Sequence, residues 1–95
     1  MNEYLLLMHA GTHVEPASWT AYLAKLRSAG RFLGGSAIGG GICVTRSGSP
    51  PEITHHLVGY LKIRADDLAE ATALLAGNPV HEAGGTVEIR ELPPD

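Results

Sequence analysis

Five consecutive apolar residues, Tyr4-Leu5-Leu6-Leu7-Met8, constrain the fold more than any other stretch of this chain. A strand with one wet face alternates apolar and polar residues, whereas a strand covered on both faces does not. The run is short and stops sharply at Ala10-Gly11, which favours a strand over a helix. It therefore belongs in the middle of a sheet, and whatever the chain folds into has to cover it from two sides.

The remaining punctuation supplies the partners. Pro16 suits a first helical position, where its missing N–H has no partner to lose. Trp19, Tyr22, Leu23 and Leu26 then recur at i, i+3, i+4 and i+7, one apolar stripe ending at Gly30. Arg31 to Ile38 reads as a second strand, Gly39-Gly40-Gly41 as a turn, Ile42 to Thr45 as a further short strand, and Ser47-Gly48-Ser49-Pro50-Pro51 as a loop. Ile53 to Ile63 is the longest strand, with Leu57, Leu61 and Ile63 on one face and Val58 and Tyr60 on the other. Asp66 is expected to cap a second helix with the stripe Leu68, Ala71, Leu74 and Leu75, stopped at Gly77-Asn78-Pro79. Thr86 to Leu92 is the last strand, and Pro93-Pro94-Asp95 a tail.

This order, βαβ(β)βαβ, is expected to form a single α+β domain over residues 1–95. It is a ferredoxin-like βαββαβ sandwich with an extra short strand or hairpin between the second and third main strands. Right-handed crossovers place the first and third main strands in the centre. Two helices cover one sheet face only, so the apolar residues on the other face call for a second copy stacked sheet against sheet. A competing cover is the chain's own Gly40–Pro51 segment folded over that face.

Composition narrows the function classes. With 44% hydrophobic and 18% charged residues in 95, the chain has the balance of a globular domain. Its formal net charge of -3 and scattered Lys and Arg argue against nucleic acid and against a membrane surface as partners. The N-terminal apolar run has no basic lead and is too short for a signal peptide, and the single cysteine, Cys43, forms no internal disulfide; a cytoplasmic location is expected. Cys43 reads as a small buried apolar residue.

Several segments together resemble the YCII-related (DGPF-containing) family. They are Tyr4 to His9, Ser28-Ala29-Gly30-Arg31-Phe32-Leu33-Gly34-Gly35, Val58-Gly59-Tyr60-Leu61 ahead of Ala65-Asp66-Asp67-Leu68, and Gly84 to Arg90. The resemblance implies a dimeric α+β barrel. It also implies small-molecule chemistry, since some relatives act on lactones and others carry a His–Asp pair. This chain departs from that pattern. Ser49-Pro50-Pro51-Glu52 stands where some members have Asp-Gly-Pro-Phe, Trp19 to Gly30 contains no histidine, and Gly34 to Gly41 contains no acid.

Five histidines, His9, His13, His55, His56 and His81, are the groups suited to proton transfer near neutral pH. His9 ends the first central strand and His81 precedes the last; an antiparallel pairing of those strands would let the two approach one sheet edge. They are the catalytic candidates, with Tyr60 as a ligand-binding wall, and the family resemblance adds weight to His81. The competing reading of each is a solvated or structurally bonded side chain. His55 and His56, on opposite faces of a strand, cannot share a metal, and neither a HExxH motif nor a cysteine cluster is present, so no metal site and no cofactor is expected. The expected function is binding of a small molecule in a cleft near the dimer edge, extending to acid/base catalysis on a small organic acid or lactone. The alternative is a non-enzymatic dimerisation or sensing module.

Overall fold

The computed structural model describes residues Met1–Asp95. Its elements run β1 (Asn2–His9), α1 (Pro16–Ser28), β2 (Phe32–Ala37), β3 (Leu57–Ala65), α2 (Leu68–Ala73), α3 (Pro79–Glu82) and β4 (Val87–Leu92). The four strands form one antiparallel sheet in the order β2-β3-β1-β4, the ferredoxin-like arrangement, with the two most apolar strands in its centre.

The core lies between the sheet and the helices. Tyr4, Leu6 and Met8 of β1 and Leu61, Ile63 and Ala65 of β3 are buried against Tyr22 and Leu26 of α1, Ala71 and Leu75 of the α2 region, and Val80 of α3. Register puts Leu6 between Leu61 and Ile89, and Met8 between Gly59 and Val87, so one parity of β1 supplies this layer. The other parity, Leu5 and Leu7, faces away from the helices and stays half-buried. Around these leucines sit Tyr60 and Lys62 of β3 and Glu88 and Arg90 of β4, with a Glu3–Lys62 ion pair of 3.0 Å. The open face is therefore an apolar centre with charged borders, narrower than the sequence pattern suggests.

Helix α1 is fixed at both ends by its sequence. Pro16 occupies the first turn, and Gly30 at φ +72° closes a Schellman motif in which Arg31 N–H donates to the Leu26 carbonyl and Gly30 N–H to the Arg27 carbonyl. Two side chains then tie α1 to the chain after α2: the Tyr22 hydroxyl donates to the Leu74 carbonyl at 2.7 Å, and Lys25 Nζ to the Ala76 carbonyl at 2.8 Å. These satisfy carbonyls that a helix end leaves free.

Four expectations need correction. Ile42 to Thr45 forms no strand: 38–56 has no regular secondary structure, and Ile42 and Val44 are 84% and 79% exposed. Sequence apolarity alone does not make a strand where no neighbouring edge supplies its hydrogen bonds. The long strand begins at Leu57, not Ile53, so His55 and His56 precede it. The cap of α2 is Asp67, not Asp66; its carboxylate accepts from Glu70 N–H, while the Glu70 carboxylate reaches back to Asp66 N–H and pairs with Arg31 at 2.6 Å. Leu68, in the first turn set by that cap, is exposed, which leaves Ala71 and Leu75 as the buried members of the stripe.

Candidate functional site

A cavity of 760 Å³ opens between α1 and the β2–β3 half of the sheet, within the usual range for a small-molecule pocket. Its origin is legible in the residues. On the helix-facing side, β2 and β3 present Gly35 and Gly59 where bulky side chains fill the β1 side, and Ala37 adds little. The strand backbones approach closely there: a Cβ at Gly35 would lie 2.6 Å from the Tyr60 carbonyl oxygen and 2.6 Å from Leu61 Cδ2. Consecutive residues Gly34 to Ala37 and Val58 to Leu61 line the cavity, which therefore reaches the strand backbone itself, as a glycine-rich stretch allows.

Trp19, Leu23 and Arg27 of α1 form the opposite wall, with Phe32 at the start of β2. They follow one another at i, i+4 and i+8, the spacing of a single helix face. The Arg27 guanidinium lies 4.9 Å above the Phe32 ring and has no carboxylate partner. The turn after β1, from Ala10 to Val14, closes the end, with His13 exposed and paired to Glu15 at 3.1 Å. No aspartate or glutamate lines the cavity, although the chain as a whole is acidic.

His9 borders the same cavity where β1 ends, at an irregularity in the β1–β3 register that pairs Met8 with Gly59 and His9 with Leu57. Its Nε2 lies 3.1 Å from Glu88 Oε1, and its ring meets the His56 ring edge-on with centroids 4.7 Å apart. The other Glu88 oxygen accepts from Arg90 Nη1 at 3.1 Å. The hydrogen bond from His9, and after it that from Arg90, hold the Glu88 carboxyl below the usual glutamate range.

The structure does not bring His9 and His81 together. The partners of His9 are Glu88 and His56, while His81 stands exposed on the short α3 and is not among the cavity residues. That helix exists because Asn78, fully buried, accepts from Val80 N–H and His81 N–H at 3.0 and 3.1 Å; the peptide hydrogen of His81, rather than its ring, has the structural partner. Asn78 also softens the rise in the Tyr22 pKa caused by burial, although its Nδ2 completes no hydrogen bond of normal geometry. Tyr60 does line the cavity, half-buried between Leu7 and Ser36 in the sheet. No group of three or more His, Cys, Asp or Glu is placed to hold a metal ion, and no helix is long and apolar enough to cross a membrane.

Sequence reasoning missed Arg27, Glu88 and His56, and treated Trp19 as core. The signal for the cavity was the pair Gly34-Gly35 inside a strand, which marks a close approach of backbone or ligand. The signal for Arg27 was its position four residues after Leu23, on the edge of the apolar stripe. Glu88 could be matched to His9 only once the β1–β4 register was known.

The comparisons with known proteins follow the same lines. A search of curated proteins found no significant match. Among solved structures, the chain is similar to the 5-chloro-2-hydroxyhydroquinone dehydrochlorinase of Burkholderia phenoliruptrix AC1100, determined in complex with 2,5-dihydroxybenzoquinone. The TM-score is 0.56 at 16% identity, covering 96% of this chain and 93% of that one, a likeness of fold. The YCII-related domain matches residues 7–94, from within β1 to the C-terminal tail, and the chain therefore belongs to the YCII-related family.

Proposed function

We propose that the cavity binds a small, planar organic acid and that two copies of the chain stack through their open sheet faces. The observation that carries the ligand class is the charge of the pocket wall. Arg27 is an unpaired cation beside a cavity with no carboxylate, in a chain of net charge -3. A guanidinium with no carboxylate partner is a ready donor to a carboxylate or enolate, in paired hydrogen bonds that a flat anion suits well. Trp19 and Phe32 offer flat apolar surfaces to a ring, and Thr12 offers a hydroxyl to orient it. The ligand named for the structural neighbour, 2,5-dihydroxybenzoquinone, is a planar ring of this kind and agrees with the class without fixing the identity. Of the two catalytic candidates, His9 borders the cavity, with its ring turned to Glu88, and His81 does not.

Trp19 is the only tryptophan and lies in the cavity wall, so its fluorescence reports occupancy directly. Titration with 2,5-dihydroxybenzoquinone and with monocyclic hydroxybenzoic acids is expected to change Trp19 emission saturably. Arg27→Ala is expected to weaken binding at least about tenfold, the loss of one charge-assisted hydrogen bond. An Arg27→Ala protein that binds these acids as well as the parent would overturn the assignment of ligand class. Emission that never saturates would remove the binding reading and favour a non-enzymatic dimerisation module.

A further inference from the structure

The segment 38–56, between β2 and β3, carries apolar residues that its own chain leaves bare. The ladder of the two strands ends where Ile38 N–H donates to the Val58 carbonyl, and Ala10 N–H holds the returning leg at the His56 carbonyl. From 39 to 55 no residue makes a backbone hydrogen bond. The two legs nevertheless lie side by side, since a Cβ on Gly41 would stand 3.4 Å from Ile53 Cδ1. The segment is a ribbon anchored at its root and held by little along its length.

Exposure alternates on the outgoing leg. Cys43 is half-buried, whereas Ile42 and Val44 on either side of it are exposed. Steps of two lead back from these residues to Ile38 and Ser36, and Ser36 pairs with Tyr60 on the open face of the sheet. Ile42 and Val44 thus carry on, beyond the last ladder bond, the apolar side that Leu5, Leu7 and Val58 present.

The joint between ribbon and sheet is glycine without a local reason for it. Gly39 and Gly40 have ordinary φ, and a Cβ at either would meet nothing within 4 Å, so this conformation does not call for glycine. A residue that costs backbone entropy and is not needed where it stands leaves the direction of the ribbon free. The nature of its partner follows from charge and area. From 39 to 55 the ribbon carries only Arg46 and Glu52 as fixed charges, which cancel, so it suits an apolar surface and not a charged one. The chain exposes 6209 Å², roughly 1,000 Å² beyond a compact monomer of its mass, and a stable interface covers about 800 Å² per partner. A second copy offers the matching surface, a bare sheet face of its own.

We propose that the 38–56 ribbon is a docking arm whose Ile42 and Val44 pack on the open sheet face of a second copy. This rests on the stacking reading above and names the element that completes it. A two-fold axis repeats the contact, so each copy gives an arm and receives one.

Cys43, the only thiol, lies inside the arm and carries the probe. Protein with a nitroxide on Cys43 is mixed with nitrogen-15 protein bearing Cys43→Ser, so that every broadened amide belongs to the other copy. Broadening is expected at Leu5 to Leu7 and at Tyr60 to Lys62, and is lost when the nitroxide chain also carries Ile42→Ser and Val44→Ser. If the mixture sediments as a dimer, no broadening, or broadening confined to the cavity wall at Trp19 and Leu23, overturns the arm and leaves the stacking intact. Sedimentation without a label gives a second reading. Ile42→Ser with Val44→Ser is expected to weaken the dimer at least about tenfold while the backbone fingerprint is kept. A dimer as tight as the parent's overturns the arm. A parent protein that is monomeric removes the stacking and the arm with it.

Discussion

At the scale of single residues, the cavity is a consequence of what β2 and β3 omit. Gly35 lies so close to the backbone of β3 that even a methyl group meets the Tyr60 carbonyl oxygen. Strand propensity alone would favour almost any residue over glycine there. Gly35→Ala is therefore expected to destabilise the fold by about 1–3 kcal/mol, the usual cost of forcing an extra group into a packed site. It should also weaken Trp19-reported binding by narrowing the floor of the cavity. Chemical denaturation of the variant checks the first expectation, and unchanged stability would show that the strands can part without cost. Residues of this kind were partly legible. A glycine pair in a strand announces close approach, but it does not say whether the neighbour is backbone, ligand or both. Arg27 and Glu88 were hidden for a different reason. Each is an ordinary surface charge until the fold sets it beside a ring, Phe32 for the first and His9 for the second.

Among the elements, periodicity and punctuation served best where a segment carries its own hydrogen bonds. Helix α1 was readable from Pro16 to Gly30 because cap, stripe and stop all agree, and the structure buries Tyr22 and Leu26 with Trp19 and Leu23 beside them. The two central strands were readable because an apolar run fills the middle of each, where no residue is exposed. Two segments were not. Ile42 to Thr45 has the composition of a strand and lacks an edge to pair with. Pro79–Glu82 is too short for a periodic pattern, and its start is set by the Asn78 side chain, which caps two peptide hydrogens from a buried position. The shift of the α2 cap from Asp66 to Asp67 has the same origin. Two adjacent aspartates are equivalent in sequence, and the choice falls to the one followed three residues later by Glu70, whose carboxylate also anchors Arg31.

The whole molecule is more open than its mass warrants. It exposes 6209 Å², against about 5,200 Å² for a compact monomer of 10 kDa. Its radius of gyration is 14.7 Å, against about 12.4 Å for 95 residues. The excess area is of the order of the ~800 Å² per partner that a stable interface covers. The half-buried Leu5 and Leu7, the exposed Val58, and the exposed Ile42 and Val44 of the 38–56 segment are apolar surface for such an interface. Exposure of Ile42 and Val44 also argues against that segment sealing the open face, since a chain folded there would bury them. Sedimentation at micromolar concentration is expected to give a dimer, and Leu7→Lys to shift it towards monomer while the fold persists. A parent protein that sediments as a monomer at that concentration would remove the stacking. The sheet argument for two copies was available from the sequence. The cavity was not, because it depends on how far α1 stands off strands that carry little side-chain bulk.

The claim on which function rests is that the space between α1 and the glycine-lined strands is where a planar acid sits. Backbone chemical-shift mapping during titration with 2,5-dihydroxybenzoquinone tests it most directly. The predicted result is saturable shifts concentrated at His9 to Val14, at Gly34 to Ala37 and at Val58 to Leu61, with the side-chain signals of Trp19 and Arg27 moving in step. Shifts confined to the Leu5, Lys62 and Arg90 face, or none at millimolar ligand, would contradict it.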